Sequence, residues 1–334
     1  MKAIRFEQFG DPVQVLHLAE TPVPEPGPGE VRVRMIASPI NPSDLMTVQG
    51  RYGVLPKLPA IPGYEGVGVV DKAGPGLIGQ WLVGRRVAVL NSAGGNWGEY
   101  VNIPAIRAIP VASDLPDAQV ASFFVNPATV LAMARHILKV PKGGWLLQSA
   151  AGSTLGRMMI KLGQHDGFKT LNIVRRREAM DELKGLGADA VICSSDGPID
   201  EQVRAIVGGE GVSYAVDPVG GDTGTGVFNS LGIGGRMLLY GTLEDAPIRV
   251  DPRTMIAGKR VVEGFYLGHW AADRSKVKML LLFREIADLI RKGVLATELG
   301  REYPLEAIGD AVRDAESVGR HGKVLLRIGQ EKGA

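Results

Sequence analysis

The sequence predicts an α/β protein in two parts, a β-rich domain leading into a doubly wound parallel sheet. Three observations carry that prediction. Between Trp145 and Arg177 a strand, a small-residue turn, a helix and a second strand follow one another, which is one βαβ unit. Further short apolar strands alternate with helical patterns to about residue 265, the mark of a parallel sheet. Before about residue 121 only short alternating strands stand between glycine turns.

Composition narrows the classes. With 334 residues, 45% of them hydrophobic and 22% charged, the chain has material for two cores. Net charge is +2 with no basic block beyond one arginine triplet, which argues against a nucleic-acid partner. No run approaches the roughly 18 apolar residues of a membrane span. Met1-Lys2-Ala3-Ile4-Arg5-Phe6 enters a strand pattern directly, so neither signal nor transit peptide is expected. Cys193 is the single cysteine; it allows no internal disulfide framework and fits a reducing cytoplasm, the expected location.

In the first part, Val31–Met35, Gly66–Val70 and Arg86–Leu90 read as strands, and the proline- and glycine-rich Pro22–Gly29 as an extended connection. Helical patterning starts at Asp117–Ala121. The parallel sheet then opens with Trp145–Ser149, a helix carrying Met158, Met159, Ile160 and Leu162, and strand Thr170–Val174. Helix Glu178–Leu186 stopped by Gly187, strand Ala190–Cys193, helix Asp200–Val207 and strand Tyr214–Asp217 follow. A helix near Gly226–Leu231 and strand Arg236–Tyr240 complete the alternation. The remainder holds helix Lys276–Lys292, a helix near Leu305–Val318 and strand Lys323–Ile328. The long helix is expected to bury Val277, Met279, Leu280, Phe283, Ile286, Leu289 and Ile290.

In a βαβ unit of this kind the first turn is where a dinucleotide's pyrophosphate sits. Small residues from Ala150 to Gly156 let the backbone approach phosphates, and the helix start presents free N–H groups and a positive dipole end. With Gly156 as third glycine of G-x-G-x-x-G, Ala151 and Ser153 hold the other places, a pattern that a plain strand–helix turn also shows. The end of the second strand decides. Arg175, Arg176 and Arg177 follow Gly156 at about the 20-residue spacing where an NAD-binding protein carries a carboxylate. Guanidinium forks suit a 2′-phosphate. A solvated basic loop would look the same in sequence, but at this position NADP(H) is expected over NAD.

Short segments along nearly the whole chain carry a family resemblance: Gly63-Tyr64-Glu65-Gly66-Val67-Gly68, Asn126-Pro127-Ala128-Thr129, Asp217-Pro218-Val219-Gly220-Gly221 and Gly322-Lys323-Val324-Leu325. With the domain order, they resemble the medium-chain dehydrogenase/reductase superfamily. That resemblance implies a GroES-like catalytic domain, discontinuous over residues 1–121 and 268–334, around a Rossmann NADP-binding domain at 122–267. Zinc enzymes of the superfamily need cysteine and histidine ligands, whereas this chain has one cysteine and Tyr64 at a histidine position. Chemistry without catalytic zinc is expected.

Within the zinc-free branch, Pro39–Asp44, Gln49–Pro56, Leu58-Pro59-Ala60 and Gly264–Leu267 with Trp270 resemble the mitochondrial 2-enoyl thioester reductases. Quinone oxidoreductases share Asn41-Pro42-Ser43-Asp44 in similar form; Tyr52 leans the choice toward thioester reduction. The resemblance implies hydride transfer from NADPH to Cβ of an enoyl-CoA or enoyl-ACP, with Tyr52 as proton donor. It implies cofactor contacts at Asn41, Asn126, Thr129, Gly152, Ser153, Thr154, Leu155, Arg175, Arg176, Arg177, Tyr240, Gly241, Thr242, Leu243, Phe265, Tyr266, Leu267 and Lys323. Trp270 either lines an acyl pocket or covers a domain seam. No metal ligand set is expected, His17, His136, His165, His269 and His321 being scattered. Asp44 and Glu65 are read as structural hydrogen-bonding groups in preference to an acid–base pair. A small-molecule substrate and a homodimer are expected. An NADPH:quinone oxidoreductase, and an NADPH-binding protein without turnover, remain open.

Overall fold

The computed structural model describes every residue except 92, 318, 320 and 330–334. Two compact units divide the chain: Met1–Val125 with Ala296–Ala334, and Asn126–Leu295.

The second unit is the expected parallel sheet. Its six strands run in the order Ala190–Cys193, Lys169–Val174, Trp145–Gln148, Val212–Asp217, Leu231–Leu239, Val261–Gly264, all parallel. In chain order that is 3-2-1-4-5-6, the doubly wound arrangement whose order reverses between first and fourth strands. The inner strands are mostly buried and largely apolar: Leu147, Leu171, Ile173, Ile192 and Met237 join one core cluster with Phe228. Helix Thr154–Asp166 presses Ile160 into a second cluster with Val174, Leu183 and Cys193. It ends at Gly167 with φ +84°, a left-handed stop that glycine adopts without strain.

The first unit carries a seven-stranded sheet, ordered Leu299–Pro304, Lys323–Arg327, Glu30–Pro39, Glu65–Ala73, Arg86–Leu90, Ala108–Pro110, with Tyr100–Pro104 also on Glu30–Pro39. Among the described residues of this sheet, only Leu299–Pro304 and Lys323–Arg327 pair in parallel. Alternation along Glu30–Pro39 puts Val31, Val33 and Met35 in one core. Ile4, Phe6, Trp97 and Leu326 centre another.

Four sequence expectations change. The return to the first unit falls at residue 296, not 268, because helices Leu267–Ala272 and Lys276–Arg291 are held by the second unit. Trp270 is buried there, and Arg135 pairs with Glu285 of the long helix. That helix buries Leu282, Ile286, Leu289 and Ile290. Its first turns instead expose Val277 (65%), Leu280 (59%) and Leu281 (57%). The helix placed near Gly226–Leu231 spans Gly221–Asn229, and Leu231 already begins the next strand. The helix expected to reach Val318 ends at Glu316, and Val318 itself lies outside the described residues.

Candidate active site

In the second unit the turn after strand Trp145–Gln148 is tightly specified. Ala150 sits at φ +48°, a left-handed conformation that costs a residue with Cβ about 1 kcal/mol or more. Ser153 caps helix Thr154–Asp166, its hydroxyl accepting from the Gly156 amide at 3.1 Å. The Thr154 and Leu155 amides begin the helix and have no intrahelical acceptor. A Cβ on Gly156 would lie 2.5 Å from the Ala151 carbonyl oxygen, whereas one on Gly152 would meet nothing within 4 Å. Gly156 therefore serves close packing of helix on turn, and Gly152 leaves the approach to the amides open.

Beneath the turn, buried Gln148 donates through Nε2 to the Gly156 carbonyl at 2.9 Å and to Asn172 Oδ1 at 2.7 Å. Asn172 in turn donates to the Thr170 and Ala190 carbonyls. One strand over, Asp217 accepts from the Ser149 hydroxyl and from the Val219 and Gly220 amides. Burial pushes its carboxyl up from the usual range. Tyr240 donates its amide to the Asp217 carbonyl at 3.0 Å, and burial, with Asp217 nearby, raises its phenol. Gly241 passes so close that a Cβ would lie 2.8 Å from the Pro218 oxygen. Thr242 and Leu243 are exposed.

Arg175, Arg176 and Arg177 follow strand Lys169–Val174 and are all exposed. Arg177 is held by Asp196 at 2.8 Å; among the described residues Arg175 and Arg176 meet no carboxylate. Asn126, half-buried, and Thr129, buried, share helix Val125–Leu131. Phe265 is buried, its amide on the Leu239 carbonyl at 2.7 Å, while Tyr266 is exposed and Leu267 half-buried. Trp270, 9% exposed, lies under the Arg274 guanidinium, 3.4 Å above its ring, and 5.5 Å from the His136 ring. Its buried Nε1 has no hydrogen-bond partner among the described residues.

These features fit a dinucleotide phosphate. The open Gly152, the helix-start amides and two exposed guanidiniums at the end of the second strand are what such a group needs.

The first unit brings together residues far apart in sequence. Asn41 and Lys323, each 2% exposed, are bonded by Lys323 Nζ donating to Asn41 Oδ1 at 2.6 Å. Asn41 Nδ2 donates to Glu65 Oε1 at 3.0 Å, and Glu65 Oε2 accepts from the Phe124 and Val125 amides. Asp44 Oδ2 takes the Asn41 amide at 2.7 Å, one arm of a capping box, and Oδ1 takes the Tyr64 amide at 3.1 Å. Burial pushes Asp44 up to about 7 and also raises Glu65. Asp44 and Glu65 are thus structural hydrogen-bonding groups, and the heads of Asn41 and Lys323 are turned to each other inside this network.

Tyr52 is half-buried, its ring centroid 5.9 Å from that of Tyr64 at 42°. The Tyr64 hydroxyl meets Thr47 Oγ1 at 2.6 Å. Sequence reasoning places Tyr64 and Asp217 in family motifs and Gln148 and Ser149 in a strand, but assigns no site role to them or to Thr47. A signal existed for Thr47, four residues after Ser43 in a helix opened by Pro42, where a threonine hydroxyl bonds back to the i−4 carbonyl. Among the described residues no group of three or more His, Cys, Asp or Glu side chains gathers to hold a metal ion.

Comparison with known proteins gives a consistent picture. The family described as alcohol dehydrogenase GroES-like domain matches residues 27–113, and the one described as zinc-binding dehydrogenase matches 154–283. Mitochondrial enoyl-[acyl-carrier-protein] reductase of Xenopus tropicalis is 32% identical over 323 residues, 95% of this chain and 92% of the relative. The Homo sapiens enzyme of that name is 32% identical over 310 residues, 92% and 83% of the two chains. Among solved structures, Escherichia coli quinone oxidoreductase complexed with NADPH superposes with a TM-score of 0.90 at 26% identity, covering 98% of this chain and 100% of the other. Quinone oxidoreductase of Pseudomonas syringae gives 0.89 at 25%, covering 98% and 99%.

Proposed function

The chain is an oxidoreductase belonging to the medium-chain dehydrogenase/reductase superfamily, close to its enoyl and quinone reductases, and from that premise we propose an NADPH-dependent, zinc-independent reductase of 2-enoyl thioesters. The observation that carries the choice of substrate is the tyrosine pair in the first unit. Tyr52, in the loop after helix Pro42–Val48, lies against the hydrogen-bonded Tyr64 ring. A fixed phenol serves a thioester, whose oxygen gains negative charge as Cβ is reduced; a quinone can take its protons from solvent.

NADPH, when bound, supplies hydride to Cβ of the conjugated thioester. The Gly152, Ser153, Thr154 and Leu155 backbone would take its pyrophosphate, and Arg175 and Arg176 its 2′-phosphate. Asn126 and Thr129 would face the nicotinamide, with Tyr240–Leu243 and Phe265–Leu267 as further contacts. Tyr52 would hydrogen-bond the thioester oxygen and protonate the developing enolate, an interaction stronger in the transition state than in the ground state. Trp270 is assigned to the acyl pocket. A homodimer is carried over from the family resemblance, and a cytoplasmic location from the single cysteine.

The test is purified protein with NADPH and a panel of crotonyl thioester, a longer enoyl thioester and a quinone. Tyr52→Phe is expected to lower kcat on the thioesters by about a hundredfold or more, with NADPH affinity kept. Wild-type kcat in Tyr52→Phe would favour the second reading, an NADPH:quinone oxidoreductase, which the likeness to the E. coli and P. syringae structures supports. NADPH binding without turnover of any substrate would favour a non-catalytic protein.

A further inference from the structure

Tyr64 is fixed at every polar atom. Its amide donates to Asp44 Oδ1 at 3.1 Å, its carbonyl accepts from the Asn91 amide at 2.8 Å, and its hydroxyl meets Thr47 Oγ1 at 2.6 Å. The preceding residue, Gly63, stands at φ +101°, and a Cβ there would be 2.5 Å from the Trp97 ring. The backbone entering Tyr64 therefore passes close beside the buried Trp97 indole, where no larger residue fits. Asp44, which grips the Tyr64 amide, is itself held by the Asn41 amide, inside the network that contains Lys323 and Glu65.

Proton inventory gives the hydroxyl contact a direction. Thr47 has one hydroxyl proton and donates it to the Ser43 carbonyl at 2.8 Å, an oxygen that can only accept. At the 2.6 Å contact Tyr64 is therefore the donor and Thr47 the acceptor. The Tyr64 phenol has its proton committed inside the unit. What it presents to Tyr52 is a ring of fixed position, at 5.9 Å between centroids.

We infer that Tyr64 is a positioning residue for Tyr52: the Ser43–Thr47–Tyr64 chain locks the Tyr64 ring, and that ring sets where the Tyr52 hydroxyl is delivered. The inference rests on the assignment of Tyr52 as proton donor in enoyl thioester reduction. Tyr52 belongs to a glycine-flanked loop, Gly50-Arg51-Tyr52-Gly53, whose next residue Val54 is 86% exposed. For a side chain on such a loop, the Tyr64 ring is a rigid neighbour against which its position is set.

A double-mutant cycle on crotonyl thioester reduction tests this, with Tyr64→Leu, Tyr64→Phe and Thr47→Val each made in wild-type and Tyr52→Phe backgrounds. In the wild-type background Tyr64→Leu is expected to lower kcat by about ten- to a hundredfold, the cost of a misplaced catalytic group. Tyr64→Phe and Thr47→Val, which keep the ring and free it, should each lower kcat several-fold. NADPH affinity should stay within about twofold throughout. In the Tyr52→Phe background the same changes should have almost no further effect, because the group they position has already lost its hydroxyl. Equal losses in both backgrounds, or wild-type kcat in all three single variants, would overturn the inference while leaving the enoyl reductase reading intact. Wild-type kcat in Tyr52→Phe alone would instead overturn that reading. If Tyr64→Leu does not fold, Tyr64→Phe and Thr47→Val complete the cycle by the same criteria.

Discussion

Lys323 and Asn41 are 282 positions apart and share a buried hydrogen bond of 2.6 Å, the ammonium donating to the amide oxygen. The other end of that amide donates to Glu65, so a single asparagine links a buried cation to a buried carboxylate. Removing one partner of such a network leaves the other charge without compensation, at a cost of about 3–5 kcal/mol. Lys323→Met is therefore expected to lower the stability of the first unit by about that much, measured by denaturant unfolding with a probe in that unit. A change below about 1 kcal/mol would mean that Glu65 is neutral in the folded chain.

The pH dependence of the same network has a definite sign. Burial raises the Asp44 carboxyl from 3.8 to about 7. Between those values the folded chain keeps a proton that the unfolded chain has released. The contribution of Asp44 to stability thus falls as pH rises through that window and is constant above it. Thermal unfolding of wild type and Asp44→Asn should show a Tm difference (wild type minus variant) that shrinks from about pH 5 to about pH 7. A flat difference would mean that Asp44 titrates in the ordinary carboxylate range.

Cofactor choice divides the arginine triplet. Arg175 and Arg176 are exposed and meet no carboxylate among the described residues, whereas Arg177 is engaged by Asp196 at 2.8 Å. Replacing Arg175 and Arg176 by alanine is expected to weaken NADPH binding about ten- to a hundredfold and to spare NADH. Arg177→Ala should have a smaller effect. Equal loss for both cofactors in titration would reject the 2′-phosphate assignment.

Gly156→Ala makes a contrasting case. Its Cβ would sit 2.5 Å from the Ala151 oxygen and 2.7 Å from two more backbone atoms, so the helix start must move away from the turn. Overpacking of this kind costs about 1–3 kcal/mol, and displaced amides should weaken NADPH and NADH alike. Calorimetry of the two cofactors separates this outcome from the arginine effect.

Metal removal is expected to change nothing, since one cysteine and Tyr64 leave no set of zinc ligands of the usual kind. Prolonged chelation should preserve turnover, and elemental analysis should find no stoichiometric zinc. Activity lost with EDTA and restored by zinc would falsify the zinc-free assignment.

The parallel sheet was legible because its inner strands are short, largely apolar runs, mostly buried and punctuated by glycine. Helix Gly221–Asn229 was harder: Gly221, Gly224 and Gly226 look like a turn. They are glycines because a Cβ at Gly224 would lie 2.8 Å from Asp217 Oδ2, and one at Gly226 2.9 Å from the Ile199 Cβ, contacts that local pattern cannot reveal. Periodicity likewise marked Val277 and Leu280 as core, since an apolar stripe does not say how far along it a partner reaches. Within the site, the phosphate turn and the arginines could be argued from spacing, but Tyr52 came only through family resemblance. Tyr64 and Thr47 emerge from contacts between a helix and a strand approach that share no sequence signal beyond the Ser43–Thr47 spacing.

The strand Lys323–Arg327, seated between Leu299–Pro304 and Glu30–Pro39, has a consequence for the order of events at the ribosome. Residues 126–295 hold every strand of the six-stranded sheet, so that unit can close as soon as they have emerged. The earlier-made residues 1–125 cannot finish alone. Until Lys323–Arg327 arrives, the Ala37–Pro39 end of Glu30–Pro39 lacks its partner strand and Glu65 lacks its cation, so the nascent residues 1–125 are expected to depend on holding chaperones. Translation thus runs from the amino end, while folding is completed from the middle outward.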